Sequence, residues 1–289
     1  MNILIIGKNS YIGAKTRAHL ERFSHTVKEV DTVTDEWQQV DYSGYDAVVH
    51  VAAIVHDDAK TASPALFDRV NVQLPLAVAE KAKQAGVKQF VFLSTMAVYG
   101  VDKALSADAC RADENTPLNP VSMYGKTKWE AEQKLTPLQD DSFTVSVVRP
   151  PNVYGPACKG NYMGLFQKLA KLLFICPKAF TNVRQSMLYV DNLAELIRLV
   201  IEKRESGVFL PQDDVIPSTV DLVEQIRRAH GKKTWKSGLL GFGVKLCGFL
   251  PPVKKLYGGV YYPEEASRCF DGAYRLVSFE DGIKETYKQ

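Results

Sequence analysis

The sequence predicts an α/β fold built on a doubly wound parallel β-sheet, with a smaller C-terminal α/β lobe that binds substrate. Short apolar runs alternate with helical patterns through the N-terminal two thirds of the chain, which is typical of repeated βαβ units. Runs such as 90–93 are continuously apolar, as strands buried on both faces of a sheet must be. A length of 289 residues accommodates one large unit with a smaller companion.

The same patterns place the elements in order along the chain. Strands are expected at residues 2–6, 26–30, 47–51, 89–93 and 144–148, and helices at 12–23, 66–85 and 124–135. After residues 149–151 the alternation breaks, and glycine, proline and aromatic residues become more frequent. We therefore expect residues 1–150 and 183–210 to form a nucleotide-binding lobe, and residues 151–182 and 211–289 to form the substrate lobe.

Composition argues against several classes of function. The chain has 36 basic and 33 acidic residues, a formal charge of +3 and no long run of one sign, which argues against a nucleic-acid-binding surface. Its five cysteines are widely spaced and include no CxxC pair, as expected for free thiols in a reducing cytoplasm. The five histidines show no metal-ligand spacing, so no metal site is expected.

Residues 238–250 form the most apolar stretch of the C-terminal half. Lys245 interrupts the stretch, which is shorter than the roughly 20 residues that cross a bilayer, so no membrane span is expected. Two interpretations remain open: the segment lies on a membrane surface, or it packs as a helix on the core of the substrate lobe. We expect the second.

A glycine-rich turn follows the first predicted strand and opens the first helix, between Gly7 and Gly13. Glycine permits a tight turn, and a helix N-terminus offers free amides and a positive dipole to a pyrophosphate. Asp31, at the end of the second strand, is placed to bind the ribose of adenosine and to repel a 2′-phosphate, which favours NAD over NADP. The bland alternatives are a simple strand-to-helix corner and a solvated loop acid.

Tyr124 and Lys128 are spaced i and i+4, hence one turn apart on one face of a helix. An ammonium group beside a phenol stabilises the phenolate, so we expect Lys128 to lower the pKa of Tyr124 and make it a general base near neutral pH. The pair could also be ordinary helix-surface residues. A strand ending in Ser94 and Thr95 lies 29 residues upstream of Tyr124, and ligands bind at the carboxyl ends of strands in such sheets.

Jointly, these motifs resemble the extended short-chain dehydrogenase/reductase family, specifically its nucleotide-sugar epimerase/dehydratase branch, which includes UDP-glucose 4-epimerases. The matching pieces are Gly7 to Gly13, HVAA at 50–53, Asn71, Ser94-Thr95 with Val98-Tyr99-Gly100, Tyr124 with Lys128, RPPNVYGP at 149–156 and LYVDNLA at 188–194. The resemblance implies a Rossmann-type lobe that binds NAD. This chain departs from the usual family pattern at Ser10, where the middle glycine of the turn is expected.

The resemblance also implies roles for individual residues. Tyr124 is implied to be the acid/base, Lys128 its electrostatic partner and a ribose contact, and Thr95 the hydroxyl that hydrogen-bonds the reacting sugar oxygen. The implied cofactor contacts are Gly7, Ser10, Tyr11, Ile12, Gly13, Asp31, Ala52, Ala53, Asn71, Tyr124 and Lys128. The implied substrate contacts are Thr95, Asn152, Asn161 and Arg184, the last because a guanidinium suits a diphosphate, while Arg149 packs behind its motif.

The reaction that the resemblance implies is NAD-dependent C4 epimerisation of a nucleoside diphosphate sugar, a UDP-hexose or UDP-N-acetylhexosamine, by reversible hydride transfer. Related dehydratases carry Asp-Glu after the catalytic Thr, whereas Met96-Ala97 follow Thr95 here, which disfavours dehydration. An NAD(P)H-dependent 4-keto-sugar reductase of polysaccharide precursor synthesis remains an alternative. A non-catalytic binding protein is a third, which the intact Thr95, Tyr124 and Lys128 disfavour. We expect a cytoplasmic homodimer that pairs through helices of the nucleotide-binding lobe.

Overall fold

The computed structural model describes residues 1–55, 63–100, 105–106, 111–158, 161–172 and 174–287, with the backbone alone at 161–163. The strands are β1 (Asn2–Ile6), β2 (Thr26–Val30), β3 (Ala47–His50), β4 (Gln89–Leu93), β5 (Thr144–Val148), β6 (Asn152–Tyr154), β7 (Ile175–Pro177), β8 (Met187–Tyr189), β9 (Gly207–Phe209) and β10 (Trp235–Ser237). The helices are α1 (Tyr11–Arg22), α2 (Glu36–Gln39), α3 (Pro64–Asp68), α4 (Leu74–Gln84), α5 (Met123–Leu135), α6 (Asn161–Leu172), α7 (Val190–Lys203), α8 (Thr219–Ala229), α9 (Gly238–Leu246), α10 (Pro251–Tyr257) and α11 (Phe279–Tyr287).

Six strands form one sheet in the order β2-β1-β3-β4-β5-β9, and every neighbouring pair is parallel. The predicted parallel α/β sheet is therefore confirmed. Four of the five predicted strands have the predicted ends. The third ends one residue early, because the N–H groups of Val51 and Ala52 both donate to the carbonyl of Ile6, at 3.0 and 3.1 Å, and the chain turns there.

Helices cover both faces of this sheet, as continuous apolar strands require. Alternate side chains of β1 show the two layers. Ile3 and Ile5 belong to a core cluster that includes residues of α7, whereas Leu4 and Ile6 belong to one that includes residues of α4 and α5. The sheet is thus doubly wound, as predicted.

The helix expected at 66–85 is broken into three parts. A π-helical turn, Arg69–Gln73, separates α3 from α4 and contains the buried Asn71. Such turns occur frequently at functional sites, because they re-aim a side chain within a helix. The first helix begins and ends one residue before its predicted bounds, and α5 begins one residue before.

The remaining strands form two small parallel pairs, β6 with β8 and β7 with β10. A second core lies around them and includes Tyr154, Tyr189 and Phe279. The buried carboxylate of Asp213 connects β6 and β8: it accepts from the Tyr189 N–H at 2.9 Å and from the Tyr154 hydroxyl at 2.8 Å. After β8, helix α7 and strand β9 return the chain to the six-stranded sheet.

The expectation that residues 238–250 pack as a helix on the core of the substrate lobe is met on one side of the helix only, where Val244 packs against the second core. A helix forms there, α9, but Gly241 is its one buried residue, and Leu239 and Phe249 are 83% and 75% exposed. The reason is steric: a Cβ on Gly241 would lie 2.2 Å from the Lys178 carbonyl oxygen, so the helix rests on its glycine side. Within the described part of the chain, no helix is long and apolar enough to cross a membrane.

Candidate active site

The site is organised around the carboxyl ends of β1 and β3. These strands are neighbours in the sheet, but β2 lies on the other side of β1, so the winding of the chain reverses between them. A crevice at such a reversal is where open α/β sheets bind ligands.

The turn after β1 has the close backbone approach and the free helix amides that a dinucleotide site requires. Gly7 has φ +126°, and a Cβ there would lie 2.9 Å from the backbone nitrogen of Ala52, so glycine is required. Ser10 is the N-cap of α1 and accepts the Gly13 N–H at 3.0 Å. The serine that departs from the family pattern therefore caps the helix, whose first-turn amides at Tyr11 and Ile12 have no acceptor within the helix and suit a pyrophosphate.

Asp31 lies directly beside this turn. The N–H groups of Gly7 and Lys8 both donate to the Val30 carbonyl at 3.0 Å, which brings the end of β2 against the start of the turn. The Asp31 carboxylate accepts from the Val33 N–H at 2.8 Å through one oxygen. Its place at the strand end is the one that a ribose-binding acid occupies in this type of site.

Asn71 holds the loop that follows β3. Its side-chain oxygen accepts from the Ile54 N–H at 2.9 Å, and its nitrogen donates to the Ile54 carbonyl and to the Thr127 hydroxyl, both at 3.1 Å. Asn71 is fully buried, so it fixes the Ala52-Ala53 loop and ties it to α5.

Thr95 and Tyr124 are brought together by a close contact between two elements. The chain after β4 makes a helical turn, Met96–Tyr99, and Thr95 accepts the Ala97 N–H at 3.1 Å. A Cβ on Gly125 would lie 2.6 Å from the Ala97 carbonyl oxygen, so α5 approaches this turn through a glycine. The result is a hydrogen bond between Thr95 and the Tyr124 phenol.

The predicted lowering of the Tyr124 pKa is wrong for the protein alone. Burial raises the pKa of Tyr124 to about 12, and the hydrogen bond with Thr95 opposes this only in part. Lys128 is itself buried, donates to the Leu93 carbonyl at 2.7 Å and lies 4.4 Å from the centre of the Phe92 ring. Burial lowers the pKa of Lys128 to about 7, so its positive charge is only partly present at neutral pH.

A buried ion pair connects α5 with the end of β5, next to Ser94. Arg149 and Glu132 are almost inaccessible and form a salt bridge of 2.6 Å. Glu132 also accepts from the Ser94 hydroxyl, and Arg149 donates to the Tyr99 hydroxyl at 3.0 Å. The packed position predicted for Arg149 is what the structure shows. Glu132 was not predicted, although its spacing of four residues from Lys128 places both on one face of α5.

The predicted substrate residues are less closely grouped. Asn152 is exposed at the start of β6, near the Thr95 turn, since the Met96 N–H donates to the Pro150 carbonyl at 2.9 Å. Arg184 donates to Asp221 at 2.9 Å and to the Ile216 carbonyl, so its guanidinium is engaged with the start of α8. The side chain of Asn161 lies outside the described residues. No group of three potential metal ligands is found among those that are described.

Comparisons with known proteins agree with this geometry. Residues 3–210 match the model of the NAD dependent epimerase/dehydratase family. The chain is 30% identical over 251 residues to the N-acetyl-alpha-D-glucosaminyl-diphospho-ditrans,octacis-undecaprenol 4-epimerase of Escherichia coli O157:H7, covering 80% of this chain and 73% of that protein. It is 32% identical to the UDP-glucose 4-epimerase of Vibrio cholerae, covering 70% of this chain but 62% of that enzyme.

The fold is shared with solved structures of much lower identity. The UDP-glucuronic acid 4-epimerase of Bacillus cereus, in complex with NAD, superposes with a TM-score of 0.72 at 19% identity, covering 99% of this chain and 95% of that one. The UDP-N-acetylglucosamine 4-epimerase of the same species gives 0.74 at 15% identity, with coverage of 99% and 98%.

Proposed function

This chain belongs to the NAD dependent epimerase/dehydratase family, and from that premise we propose that it is a nucleoside diphosphate sugar 4-epimerase. NAD, the cofactor of the family, is the cofactor that the sequence predicts. The observation that carries the proposal is the hydrogen bond between Thr95 and Tyr124, held at the same edge of the sheet as the Gly7 turn. A protein that only binds ligands does not need this pair.

The residues around the crevice fit NAD. The amides of Tyr11 and Ile12 would hold the pyrophosphate and Asp31 the adenosine ribose, while Asn71 keeps the Ala52-Ala53 loop in place. When bound, NAD supplies a hydride acceptor that returns the hydride within each turnover. Lys128 as a ribose contact remains part of the proposal.

The chain's own residues would handle the proton. Tyr124 takes the proton from the sugar C4 hydroxyl as the keto sugar forms, and gives it back once the sugar has turned over. Since the pKa of Tyr124 is about 12 in the protein alone, forming its phenolate is costly, and the Thr95 hydrogen bond reduces that cost. Thr95 can also hydrogen-bond the reacting oxygen.

We propose a UDP-hexose or UDP-N-acetylhexosamine as substrate, held by Asn152, Asn161 and Arg184. For Arg184 to bind a diphosphate, the substrate must compete with Asp221 for its guanidinium. The relatives named above are 4-epimerases, which favours this reaction over the 4-keto-sugar reduction. We also propose that the enzyme is cytoplasmic, serves polysaccharide precursor synthesis and forms a homodimer. Size-exclusion chromatography tests its oligomeric state.

The test is to incubate the protein with UDP-glucose, UDP-galactose and their N-acetyl forms, without added nicotinamide, and to follow the sugar by NMR. We expect a C4-inverted product from one of the four. Tyr124→Phe should reduce the rate by about 10² to 10⁴, because positioned acid/base groups contribute that much. In a parallel incubation with reduced nicotinamide added, stoichiometric consumption of that cofactor, together with no inversion in the first assay, would instead identify a reductase.

One observation favours a second candidate substrate. The relative from Escherichia coli is named for a sugar on a diphospho-undecaprenol, and this chain exposes large apolar side chains on its substrate lobe. The second candidate is therefore the same C4 inversion on a polyprenyl diphosphate N-acetylhexosamine. Assay of that substrate in detergent, beside the UDP-sugars, distinguishes the two.

A further inference from the structure

One face of the substrate lobe combines exposed apolar side chains with lysines. It is formed by the end of α6, the β7–β10 pair, α9, α10 and the chain between these two helices, and we call it the apolar–basic face. Its elements are contiguous: Trp235 pairs with Ile175 across the two strands, and α9 packs on β7. Its most exposed apolar residues include Leu172, Trp235, Leu239, Phe242, Leu246 and Phe249.

The exposure follows from the way α9 is seated. Leu239, Phe242, Leu246 and Phe249 recur at intervals of three and four residues, so they form one stripe. A stripe of this kind normally faces the core, but here the helix rests on Gly241, whose missing side chain lets the backbone touch Lys178. The stripe therefore faces outward, and its residues form a continuous exposed apolar row rather than isolated positions.

The charge of this face differs from that of the whole chain. Residues 160–180 and 231–260 contain nine lysines and no acidic residue, whereas the chain as a whole has a charge of only +3. All nine lysines are exposed. Lys236 pairs with Glu224 at 2.6 Å, and the other eight make no ion pair with any described residue.

We propose that the apolar–basic face docks on the surface of a bilayer that contains anionic lipids. Phe and Leu side chains insert into the interface between headgroups and acyl chains, and lysines attract anionic headgroups, which together describe a helix lying in the membrane plane. A second copy of the chain is the poorer occupant, because a symmetric contact would bring lysines of like charge together.

Leu105 lies against the chain that follows α9: its Cδ1 is 3.3 Å from the position of a Cβ on Gly248. The docking proposal stands on the face alone and does not require a particular substrate.

The test is flotation of the full-length protein with phosphatidylcholine vesicles, with and without about 30% phosphatidylglycerol. We expect binding to the anionic vesicles that weakens at high salt. Combining Leu239→Ser, Phe242→Ser and Phe249→Ser should reduce the affinity tenfold or more, and Lys254→Gln with Lys255→Gln should reduce it about fivefold per lysine. Leu276→Ser, an exposed apolar residue elsewhere, is the matched control and should leave binding unchanged.

The variant positions are exposed, so each protein should keep the wild-type thermal unfolding midpoint. Absence of binding to anionic vesicles would overturn the proposal, as would binding that the triple variant retains. If the protein did not bind vesicles but formed a concentration-dependent dimer, and the triple variant did not form that dimer, the face would instead be assigned to contact with a second copy of the chain. None of these readouts involves turnover, so they are independent of the proposed reaction.

Discussion

Tyr124 and Lys128 lie one turn apart on α5, yet burial shifts the pKa values of their side chains in opposite directions. The pKa of the phenol rises to about 12, and the pKa of the ammonium falls to about 7, because the charged form of each loses its hydration. The spacing in sequence indicates that the residues share a helix face. It contains no information on how much water reaches that face, and burial decides both pKa values.

The Lys128 shift predicts a pH-dependent stability. Its pKa is about 7 in the folded state, against an ordinary value of 10.5, so between these values the unfolded chain binds more protons than the native protein. The free energy of unfolding should therefore rise with pH in this window, by about 1.4 kcal/mol per pH unit from this group, and the gain should be lost as the pH falls towards 7.

Urea unfolding of Lys128→Met across that window measures this effect. The slope of unfolding free energy against pH should be flatter than in wild type. Lys126→Met, an exposed lysine on the same helix, should keep the wild-type slope. Equal slopes in Lys128→Met and wild type would mean that Lys128 titrates as a solvated lysine does.

The elements that position the site depend on contacts that a linear pattern does not reveal. Apolar runs predict β1, β4 and β5 with their observed ends, because buried parallel strands require such runs. Gly125 appears in the sequence as a helix residue with poor propensity, and its use is visible only where α5 meets the Ala97 carbonyl. The outward orientation of the apolar stripe of α9 was not predicted for the same reason: an apolar stripe does not specify which surface it faces.

Replacement of Gly125 by alanine tests the contact between α5 and the Thr95 turn. The new Cβ would lie 2.6 Å from the Ala97 carbonyl oxygen, which is backbone and cannot rotate away. The helix must shift, and a displacement of about 1 Å at a catalytic pair can cost about 10² in rate. We expect a lower kcat with the fold retained, as measured by turnover and circular dichroism.

Gly243→Ala is the matched control for that experiment, since a Cβ there meets nothing within 4 Å. It should leave turnover unchanged. If Gly125→Ala were as active as Gly243→Ala, the close approach of α5 would have no role in placing Tyr124.

The ion pair between α5 and the end of β5 makes a separate prediction. Glu132 and Arg149 are buried, so Glu132→Gln leaves an uncompensated guanidinium and should cost about 3 to 5 kcal/mol of unfolding free energy. Glu132→Leu combined with Arg149→Met removes both charges and should recover most of that loss. Urea unfolding of the three proteins decides it: a double variant as unstable as Glu132→Gln would show that the charge pair is not the cause.

In the molecule as a whole, the six-stranded sheet and the chain around the second core contribute different residues to the candidate site. The six-stranded sheet supplies the Gly7 turn, Asp31, Thr95 and α5, whereas the chain after β5 supplies Asn152 and Arg184. Sequence motifs predict the first group, because a dinucleotide requires the same turn and strand ends wherever it binds. The second group depends on pocket shape, which a motif does not contain, and Arg184 is paired with Asp221 in the structure.

The net charge of the chain likewise does not reveal how its charges are distributed over the surface. A value of +3 conceals nine exposed lysines in two segments, 160–180 and 231–260, which are joined by the pairing of β7 with β10. A balanced net charge does not exclude a local basic patch, since acidic residues elsewhere in the chain offset the charge of its lysines.

The proposed C4 epimerisation requires a hydride cycle that closes within the enzyme. A UDP-sugar that carries deuterium at C4, incubated in ordinary water without added nicotinamide and analysed by NMR, tests this cycle. We predict an inverted product that retains its deuterium, because the hydride leaves and returns to the same carbon while Tyr124 moves only the hydroxyl proton. Inversion with deuterium lost to water, or no inversion of any UDP-sugar or polyprenyl diphosphate sugar, would rule out this hydride cycle.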